Sequence, residues 1–435
     1  MVEPDDVSVW RRAWADASLL EAAAACDPAD VAAVARLRKL TGDPTVARAA
    51  LSIVAARIKA SGKFGPVAAG LLADVEGVEQ ATSRGAARPK AARFARLIVA
   101  GHAGPVLDLG CGIGADAMAL AGCGVPGVVA VDVDPVRAAM ASVNAAVPVA
   151  VADLRDLADG GAIDVAGRLI HLDPARRTRV AGETRARRTF AFADLEPGPA
   201  TLRQLIERSA GAAVKLSPGM DVDAVRDALG EGEACFTSEP SGLGRGDARR
   251  LTQATWFTGA LRESPAVERA AGRRAVCVRA DGRWDEVCGE PDDSRDLPAS
   301  PLRRFLVVPD PAVERAELLP RLGMATLHPG LGLLTGDALP GDAVLGLYRA
   351  YEVLAEMPWR LAKVRRWLTE HGATVSAVKT RGRAVDPDAA LRALRSSEKT
   401  VSAALPVATL TGFGLRLGRR VVAIVTRPWP SGGGR

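Results

Sequence analysis

Apolar residues recur at three- and four-residue spacing through the first hundred positions, which is the pattern of amphipathic helices. One such stretch, "TVARAALSIVAARIKA", follows Asp43-Pro44. Aspartate is a favoured helix N-cap and proline fits the first helical turn, while Gly62 stands where the apolar pattern stops. We therefore predict a helical N-terminal region over residues 1–100.

After Pro105 the pattern changes to short apolar segments that alternate with helix-like segments: "PVLDLG", "GVVAVDVD", "VPVAVADL", "GRLIHLDP" and "GAAVKLSP". Such alternation predicts a parallel sheet flanked by helices, so we expect an α/β, Rossmann-like domain over residues 101–290. Three later segments, "ACFTSE", "LTQATWFTG" and "RRAVCVRADGRW", predict strands that close the sheet or leave it as hairpins.

A stretch rich in proline and aspartate, "GEPDDSRDLPASP" at residues 289–301, predicts a linker. The region beyond it, residues 300–430, mixes the two periodicities and predicts an α+β domain. Within it, "AVLGLYRAYEVLAEMPWRLAKVRRWLTEHG" favours helix, whereas "TVSAVKTRG" and "RRVVAIVTR" favour strands.

Composition restricts the class of protein. Hydrophobic residues make up 48% of the 435 residues, which suffices for more than one core. The acidic start, "MVEPDDVSVWRR", and the lack of an apolar run of membrane-spanning length lead us to expect a cytoplasmic protein with no membrane partner. Six cysteines without a C-x-x-C pair and four scattered histidines predict free thiols and no metal site.

The net charge of +6 fits a partner that carries phosphates, because lysine and arginine make phosphate contacts. However, 49 of the 57 basic residues are arginine, a bias that a GC-rich genome also produces. Both interpretations stay open on charge alone. Aromatic residues make up only 4% of the chain, so a bound RNA would be folded rather than stacked on an extended aromatic platform.

The segment "VLDLGCGIGADAMALA" reads as a strand, a glycine-rich turn and a helix, an arrangement that brings backbone close to a nucleotide-like ligand. Gly110, Gly112 and Ala115, with Asp132 about 20 residues on, also satisfy the dinucleotide pattern. Asp108 argues against a dinucleotide, because a carboxylate there would repel a pyrophosphate. It would instead favour the ammonium and sulfonium charges of S-adenosylmethionine.

Two further acids end the next two apolar strands. Asp132 is placed to accept hydrogen bonds from both ribose hydroxyls, and Asp153 to meet the adenine amino group. The loop Asp108–Gly114 together with Asp132 and Asp153 resembles motifs I, II and III of the class I S-adenosylmethionine-dependent methyltransferases. The resemblance implies S-adenosylmethionine as cofactor.

The resemblance extends over most of the chain from about residue 70. The segments "GVEQATSRGAARPKAARF", "DPARR", "AVKLSPGMD", "VVPDPAVERAEL", "GLLTGD" and "AVKTRGRAVDPDAALRAL" are similar to bacterial methyltransferases with a C-terminal THUMP-like domain, which implies RNA as substrate. It also implies that Glu79–Thr82 covers the cofactor or target pocket, although a plain surface helix is an open alternative. The implied cofactor-binding residues are Asp108, Gly110, Gly112, Gly114, Asp132, Asp153, Gln80 and Thr82.

Asp173-Pro174 follows the fourth strand, where class I enzymes directed at amines carry Asn or Asp, two prolines and an aromatic residue. The resemblance implies that Asp173 and Pro174 are catalytic and hold an amine of the target. Ala175 and Arg176 stand where the second proline and the aromatic residue are expected, so stacking would come from Arg176, Phe190 or Phe192. Arg176 and Arg177 predict either a phosphate clamp or a solvated basic loop.

The C-terminal region predicts a surface that binds RNA, with Lys379, Arg381 and Arg383 at a strand end and Arg360, Lys363, Arg365 and Arg366 on a helix. The alternative is a solvated or interdomain basic face.

Our hypothesis is methylation of a nucleobase nitrogen in tRNA or rRNA. A small-molecule or protein methyltransferase, or an RNA-binding protein without activity, are the alternatives. Covalent catalysis is disfavoured, since Cys111 and Cys235 read as small buried residues.

Overall fold

The computed structural model describes residues 4–27, 32–102, 104–176, 195–241, 248–263, 272–292, 297–341, 346–395 and 408–430. The chain forms two compact units, Met1–Arg283 and Trp284–Arg435. Each unit contains its own sheet and its own hydrophobic core.

The predicted helices of the first hundred residues are present as α1 Pro4–Ala15, α2 Ala17–Ala24, α3 Ala32–Thr41, α4 Pro44–Phe64, α5 Val75–Gln80 and α6 Arg84–Val99. The Asp43 side chain caps α4 by accepting from the backbone of Thr45 and Val46. The prediction that this helix stops at Gly62 is wrong, because it continues to Phe64. A glycine inside a helix costs only about 1 kcal/mol, and burial of Phe64 favours the extra turn.

These helices share a core with the α/β part of the same unit. Leu19, Ile53 and Leu72 from the N-terminal region lie in one buried cluster with Ile113 of the glycine loop and Met140. The helical region is therefore packed directly onto the elements that surround the predicted cofactor site.

The sheet of the first unit contains the strands β1 Val106–Leu109, β2 Val129–Asp132, β3 Val149–Val151, β4 Leu169–Leu172, β7 Gly211–Leu216, β8 Glu233–Pro240, β9 Arg249–Phe257 and β10 Gly272–Val278. Their spatial order is β10-β8-β9-β7-β4-β1-β2-β3. The five strands β3, β2, β1, β4 and β7 are parallel neighbours, and β9 lies antiparallel between β7 and β8. The three later segments thus close the sheet rather than leave it.

Short helices connect the parallel strands: α7 Ala115–Gly122, α8 Pro135–Ala145, α9 Leu154–Ala158, α10 Pro199–Arg208 and α11 Val222–Leu229. A two-stranded ribbon of β5 Ala175–Arg176 and β6 Leu195–Glu196 lies just beyond β4. Parallel strands joined by helices place all their carboxyl ends at one edge, which is where such sheets bind ligands.

The second unit begins with β11 Trp284–Gly289 and holds a sheet of β12 Phe305–Pro309, β13 Ala325–Thr326, β14 Leu334–Gly336, β15 Tyr348–Pro358, β16 Ala373–Arg381, β17 Ala408–Leu417 and β18 Arg420–Pro428, ordered β13-β14-β12-β15-β18-β17-β16. Its helices are α12 Pro311–Arg315, α13 Leu361–Glu370 and α14 Pro387–Arg395. The unit is the α+β domain that the sequence predicts.

One prediction in this unit is wrong. The segment "YRAYEVLAEMP" favours helix by composition, yet it forms β15 between β12 and β18. Pairing on both sides and burial of Tyr348 and Tyr351 outweigh the helix propensity of its alanine, leucine and glutamate residues.

Within the described ranges, no helix combines the length and the apolar character needed to cross a membrane. The same part of the chain contains no cluster of three or more His, Cys, Asp or Glu side chains suited to a metal ion.

Candidate functional site

A cavity of about 830 Å³ lies at the carboxyl edge of the first unit's sheet. Its walls come from the ends of β1, β2, β4, β7 and β8, from the start of β9 and from the chain around α5. Eight of the residues predicted from the sequence line it: Gln80, Thr82, Gly110, Gly112, Asp132, Asp153, Asp173 and Pro174. Residues far apart in sequence thus meet at one site.

The glycine loop forms the cavity floor between β1 and α7. Gly110 has φ 77°, and a Cβ atom there would lie 2.6 Å from the backbone oxygen of Asp173. Only glycine therefore fits, for both the left-handed conformation and the close approach. Gly114 is the N-cap of α7 and packs against Ala141 rather than lining the cavity.

Asp132 joins the end of β2 to the glycine loop. Its Oδ2 accepts a hydrogen bond of 2.7 Å from the backbone N–H of Gly112, and its Oδ1 accepts one of 3.0 Å from Asp134. Burial raises the pKa of Asp132, and these backbone hydrogen bonds oppose that rise. The carboxylate is thereby held at the cavity wall beside the loop.

Asp153 lies at the same edge, one strand further out. Its side chain caps α9 through the backbone N–H of Arg155 and also pairs with the guanidinium of Arg155 at 3.0 Å. It is partly exposed and lines the cavity three strands away from β4, which Asp173 follows.

The structure revises the expectation for Asp108, which is fully buried and does not line the cavity. Asp108 on β1 is paired in register with His171 on β4, and its Oδ1 lies 2.7 Å from Nδ1 of His171. Cross-strand neighbours of a sheet share a face, so this carboxylate meets the imidazole inside the fold, two residues before the first glycine of the loop.

A chain of buried polar groups continues from His171. Its Nε2 lies 2.7 Å from Nζ of Lys90, which forms an ion pair of 2.8 Å with Asp116. Asp116 in turn accepts a hydrogen bond from Thr82. Burial raises the pKa of Asp116, but the nearby cationic groups, Lys90 first, lower it more, so the net shift is downward. This network connects the core of the sheet to the cavity wall. No sequence motif predicted that these residues would contact one another.

The segment Glu79–Ser83 forms another wall of the cavity. Lys63 on α4 donates to the carbonyls of Val78, Glu79 and Ala81, at 2.7, 2.7 and 3.0 Å. Burial lowers the pKa of Lys63 to about 8. At the other end, Ser83 donates to Glu239 at the end of β8. The wall is thus fixed from both sides.

Asp173 stands at the end of β4, beside the glycine loop, and has one partner that the sequence did not single out. Nζ of Lys215, near the end of β7, lies 2.7 Å from Oδ2 of Asp173. Lys215 occurs in a segment that the family resemblance includes, but no motif links it to Asp173. Pro174 follows and is buried.

No residue that lines the described part of the cavity is aromatic. Cys111 is buried, and burial raises the pKa of its thiol, which disfavours a thiolate nucleophile. Cys235 is buried within β8. Four further residues were predicted to stack on the target or to bind its phosphate. The backbone of Arg176 belongs to β5, whereas Arg177, Phe190 and Phe192 lie outside the described residues.

In the second unit, two of the three basic residues that were predicted at a strand end are engaged within the fold. Lys379 donates to the hydroxyl of Tyr351 at 2.5 Å, and burial lowers its pKa to about 8. Arg381 forms two hydrogen bonds with Glu314, at 3.2 and 3.0 Å. Arg383 alone of the three is exposed.

The ends of four strands nevertheless assemble a basic surface in this unit. In register, Arg381 of β16 is opposite Leu415 of β17, and Leu417 of β17 is opposite Arg420 of β18. The backbone N–H of Trp359, just after β15, donates to Val421. We call this the basic end, defined by its exposed residues Arg360, Lys363, Arg383, Arg416, Arg419 and Arg420. The last three were not singled out in the sequence.

Comparison with known proteins gives three results. A family described as THUMP domain-like matches residues 348–428, from β15 to β18 of the second unit. An uncharacterised S-adenosylmethionine-dependent methyltransferase, found in two strains of Mycobacterium tuberculosis, is 32% identical over 387 residues, which is 86% of this chain and 94% of that protein. The crystal structure of a candidate methyltransferase from Porphyromonas gingivalis has 16% identity and a TM-score of 0.65, with 99% of this chain and 100% of that chain covered.

Proposed function

Because the chain belongs to the S-adenosylmethionine-dependent methyltransferases and carries a C-terminal THUMP-like domain, we propose that it methylates a nucleobase nitrogen of structured RNA, either tRNA or rRNA. The observation that carries the choice of RNA is the basic end, six exposed cationic residues gathered in the unit that the THUMP-like family matches. Phosphate contacts of this kind hold an RNA by charge and shape, apart from the reacting base.

The residues of the first unit fit the cofactor. Gly110 and Gly112 line the cavity, open space lies within 4 Å of the Cβ position of Gly112, and Asp132 presents a carboxylate beside that loop. Asp132 would accept the ribose hydroxyls, and Asp153 would meet the adenine amino group. When bound, S-adenosylmethionine supplies an electrophilic methyl group.

Asp173 and Pro174 would hold the target amine next to the glycine loop. One carboxylate oxygen and the proline carbonyl accept the hydrogens of the amine, which aligns its lone pair for in-line transfer. Alignment in a fixed site supplies most of the acceleration, so a strong base is not required. A Cβ atom at Gly110 would lie 2.6 Å from the backbone oxygen of Asp173. This close approach supports the assignment, because it puts the proposed target residue beside the loop that would hold the cofactor.

Replacing Asp132 by alanine should weaken S-adenosylmethionine binding by about tenfold or more. The change removes acceptors for the ribose and also the partner of the Gly112 N–H, and a hydrogen bond to a charged group contributes roughly 1.5–3 kcal/mol. Isothermal titration calorimetry measures the dissociation constant. The control is Glu207→Ala, which changes an exposed carboxylate on α10 and should leave the constant as it is. An unchanged constant in the Asp132 variant would exclude the ribose contact.

Replacing Arg416 and Arg420 together by glutamine should reduce RNA affinity and make the slope of log affinity against log salt shallower by about two, since each phosphate contact contributes about one. Filter binding of total tRNA at several salt concentrations measures both quantities. Arg38→Gln with Arg392→Gln removes the same charge from exposed positions outside the basic end and should change the slope little. Equal slopes for the two double variants would contradict the assignment of the basic end.

The activity itself is tested with tritium-labelled S-adenosylmethionine. Total RNA from a strain that lacks this gene should accept label, whereas RNA from the parent strain, already methylated, should accept little. Digestion of the labelled RNA to nucleosides then identifies the base and the atom. If RNA from the deletion strain accepts no more label than parental RNA, the RNA proposal fails.

A small molecule or a protein is the second candidate substrate. The observation that favours it is the lack of an aromatic side chain among the described residues that line the cavity, because enzymes that methylate an extruded base stack it on such a ring. In that case the same assay would label a small-molecule or protein fraction of the deletion strain, and the label would not depend on added RNA.

A further inference from the structure

Lys215 lies at the target end of the cavity, near the carboxyl end of the strand next to β4. Its side chain is 16% exposed and lines the cavity together with Asp173. Strand β7 continues the parallel series, and β9 covers its other edge. Lysine is seldom buried without a partner, so its contacts need an account.

Among the described residues, the ammonium group of Lys215 donates two hydrogen bonds, one to the proposed target site and one to the cavity wall. It donates to Oδ2 of Asp173 at 2.7 Å and to the backbone carbonyl of Gln80 at 3.3 Å. Burial alone would lower the pKa of Lys215, but the carboxylates of Asp173 and Asp116 raise it more. The group therefore keeps its positive charge across the neutral range.

The consequence for Asp173 is geometric. A carboxylate at a strand end can rotate about its side-chain bonds, but a charge-assisted hydrogen bond to a buried lysine fixes one oxygen. Among the described residues no group donates to the other oxygen, Oδ1. The same ammonium ties the cavity wall at Gln80 to the strand that carries it. One lysine thus holds both the carboxylate of Asp173 and the cavity wall at Gln80.

We propose that Lys215 is a positioning residue for methyl transfer, which holds Asp173 by Oδ2 so that Oδ1 receives the target amine, and holds the Gln80 carbonyl so that the cavity wall is formed before the target enters. The inference rests on the proposed function, because it assigns Lys215 its role through Asp173. In this assignment Lys215 acts through Asp173 and through the Gln80 carbonyl.

Lys215→Met keeps the length of the side chain and removes its charge. A displaced acceptor in a site that depends on alignment costs up to about 100-fold in rate, so kcat should fall by about 10- to 100-fold while KM for RNA changes little. The dissociation constant for S-adenosylmethionine should stay within about twofold, a change of under about 0.5 kcal/mol, which would also show that the variant is folded. Lys215→Arg should restore most of kcat. Lys39→Met, at an exposed position on α3, is the matched control.

A double-mutant cycle tests whether Lys215 acts through Asp173. Asp173→Asn retains an acceptor oxygen but loses the charge that the ammonium binds, so the loss from Lys215→Met should shrink to about twofold in that background. Rates are measured with the full chain, tritiated cofactor and RNA from the deletion strain. If Lys215→Met lowers the rate by the same factor in the wild-type and Asp173→Asn backgrounds, the positioning role is overturned and the proposed function stays intact. Full activity of Lys215→Met would have the same consequence. Full activity of Asp173→Ala would overturn both, since neither Asp173 nor its partner would then serve the reaction.

Discussion

Replacing Asp173 by alanine should reduce methyl transfer by about 100- to 1,000-fold while the affinity for S-adenosylmethionine stays within about threefold, a loss comparable to removing a principal electrostatic contact of a reaction centre. The side chain is the proposed acceptor of the target amine, and its removal takes away the alignment on which the transfer depends. The contact with Gly110 is made by the backbone of Asp173, so it persists in the variant.

Three measurements separate this result from misfolding. Cofactor binding by calorimetry reports the glycine loop, thermal unfolding reports the fold, and tritium transfer reports the reaction. Asp221→Ala removes another aspartate, the N-cap of α11, and should lower stability by about 1 kcal/mol without this loss of turnover. Wild-type turnover in Asp173→Ala would refute the assignment of the target site, whatever the substrate proves to be.

The placement of the predicted acids at one edge of the sheet was predictable because it follows from strand order. Asp132 ends β2 and Asp173 directly follows β4, and the carboxyl ends of parallel strands meet at one edge. The burial of Asp108 away from the cavity was not predictable, because it depends on the register between β1 and β4. Its neighbour across the sheet, His171, is 63 residues away, and that pairing fixes the carboxylate inside the fold.

Lys215 and Glu239 illustrate a second limit. Both belong to the site because β7 neighbours β4 and because β9 runs antiparallel between β7 and β8. The sequence does not reveal that β9 lies between β7 and β8, because β9 follows β8 along the chain. The residues at these strand ends therefore carried no signal as site residues.

The sequence predicted Arg360, Lys363 and Arg383 of the basic end but not Arg416, Arg419 and Arg420. The sequence singled out Lys379 and Arg381 because they stand near a strand end, but Tyr351 and Glu314 from other elements engage them. Arg416 and Arg420 flank a tight turn between β17 and β18 and remain exposed. Whether a basic side chain faces solvent depends on tertiary partners, which a single sequence does not reveal.

Glu233 is the centre of a buried ion network that holds α6 against the sheet of the first unit. Its carboxylate accepts hydrogen bonds from Arg93 on α6 at 2.7 and 3.0 Å and from Arg274 on β10 at 2.9 Å. The Arg93 guanidinium also lies 4.0 Å from the ring centre of Phe257. Glu233 is fully buried, as both arginines nearly are. Helix α6 begins at the cavity wall, so the network supports the site from a distance.

Replacing Glu233 by alanine should lower the free energy of unfolding of the first unit by about 3–5 kcal/mol, because it leaves two buried guanidinium groups without their main counter-charge. Urea unfolding followed by circular dichroism measures the loss, and Glu207→Ala, an exposed carboxylate, should cost under about 1 kcal/mol.

The acid response provides an independent measurement of the same network. Burial raises the pKa of Glu233, but Arg93 and Arg274 lower it more, to well below the ordinary 4.5. A carboxyl group whose pKa is lowered by folding contributes stability that is complete above its unfolded pKa and is lost as the pH falls toward the folded value. The wild-type protein should therefore lose stability below about pH 4.5 more steeply than Glu233→Gln, which has no proton to take up. Parallel acid-unfolding curves for the two proteins would show that the network does not hold Glu233 ionised.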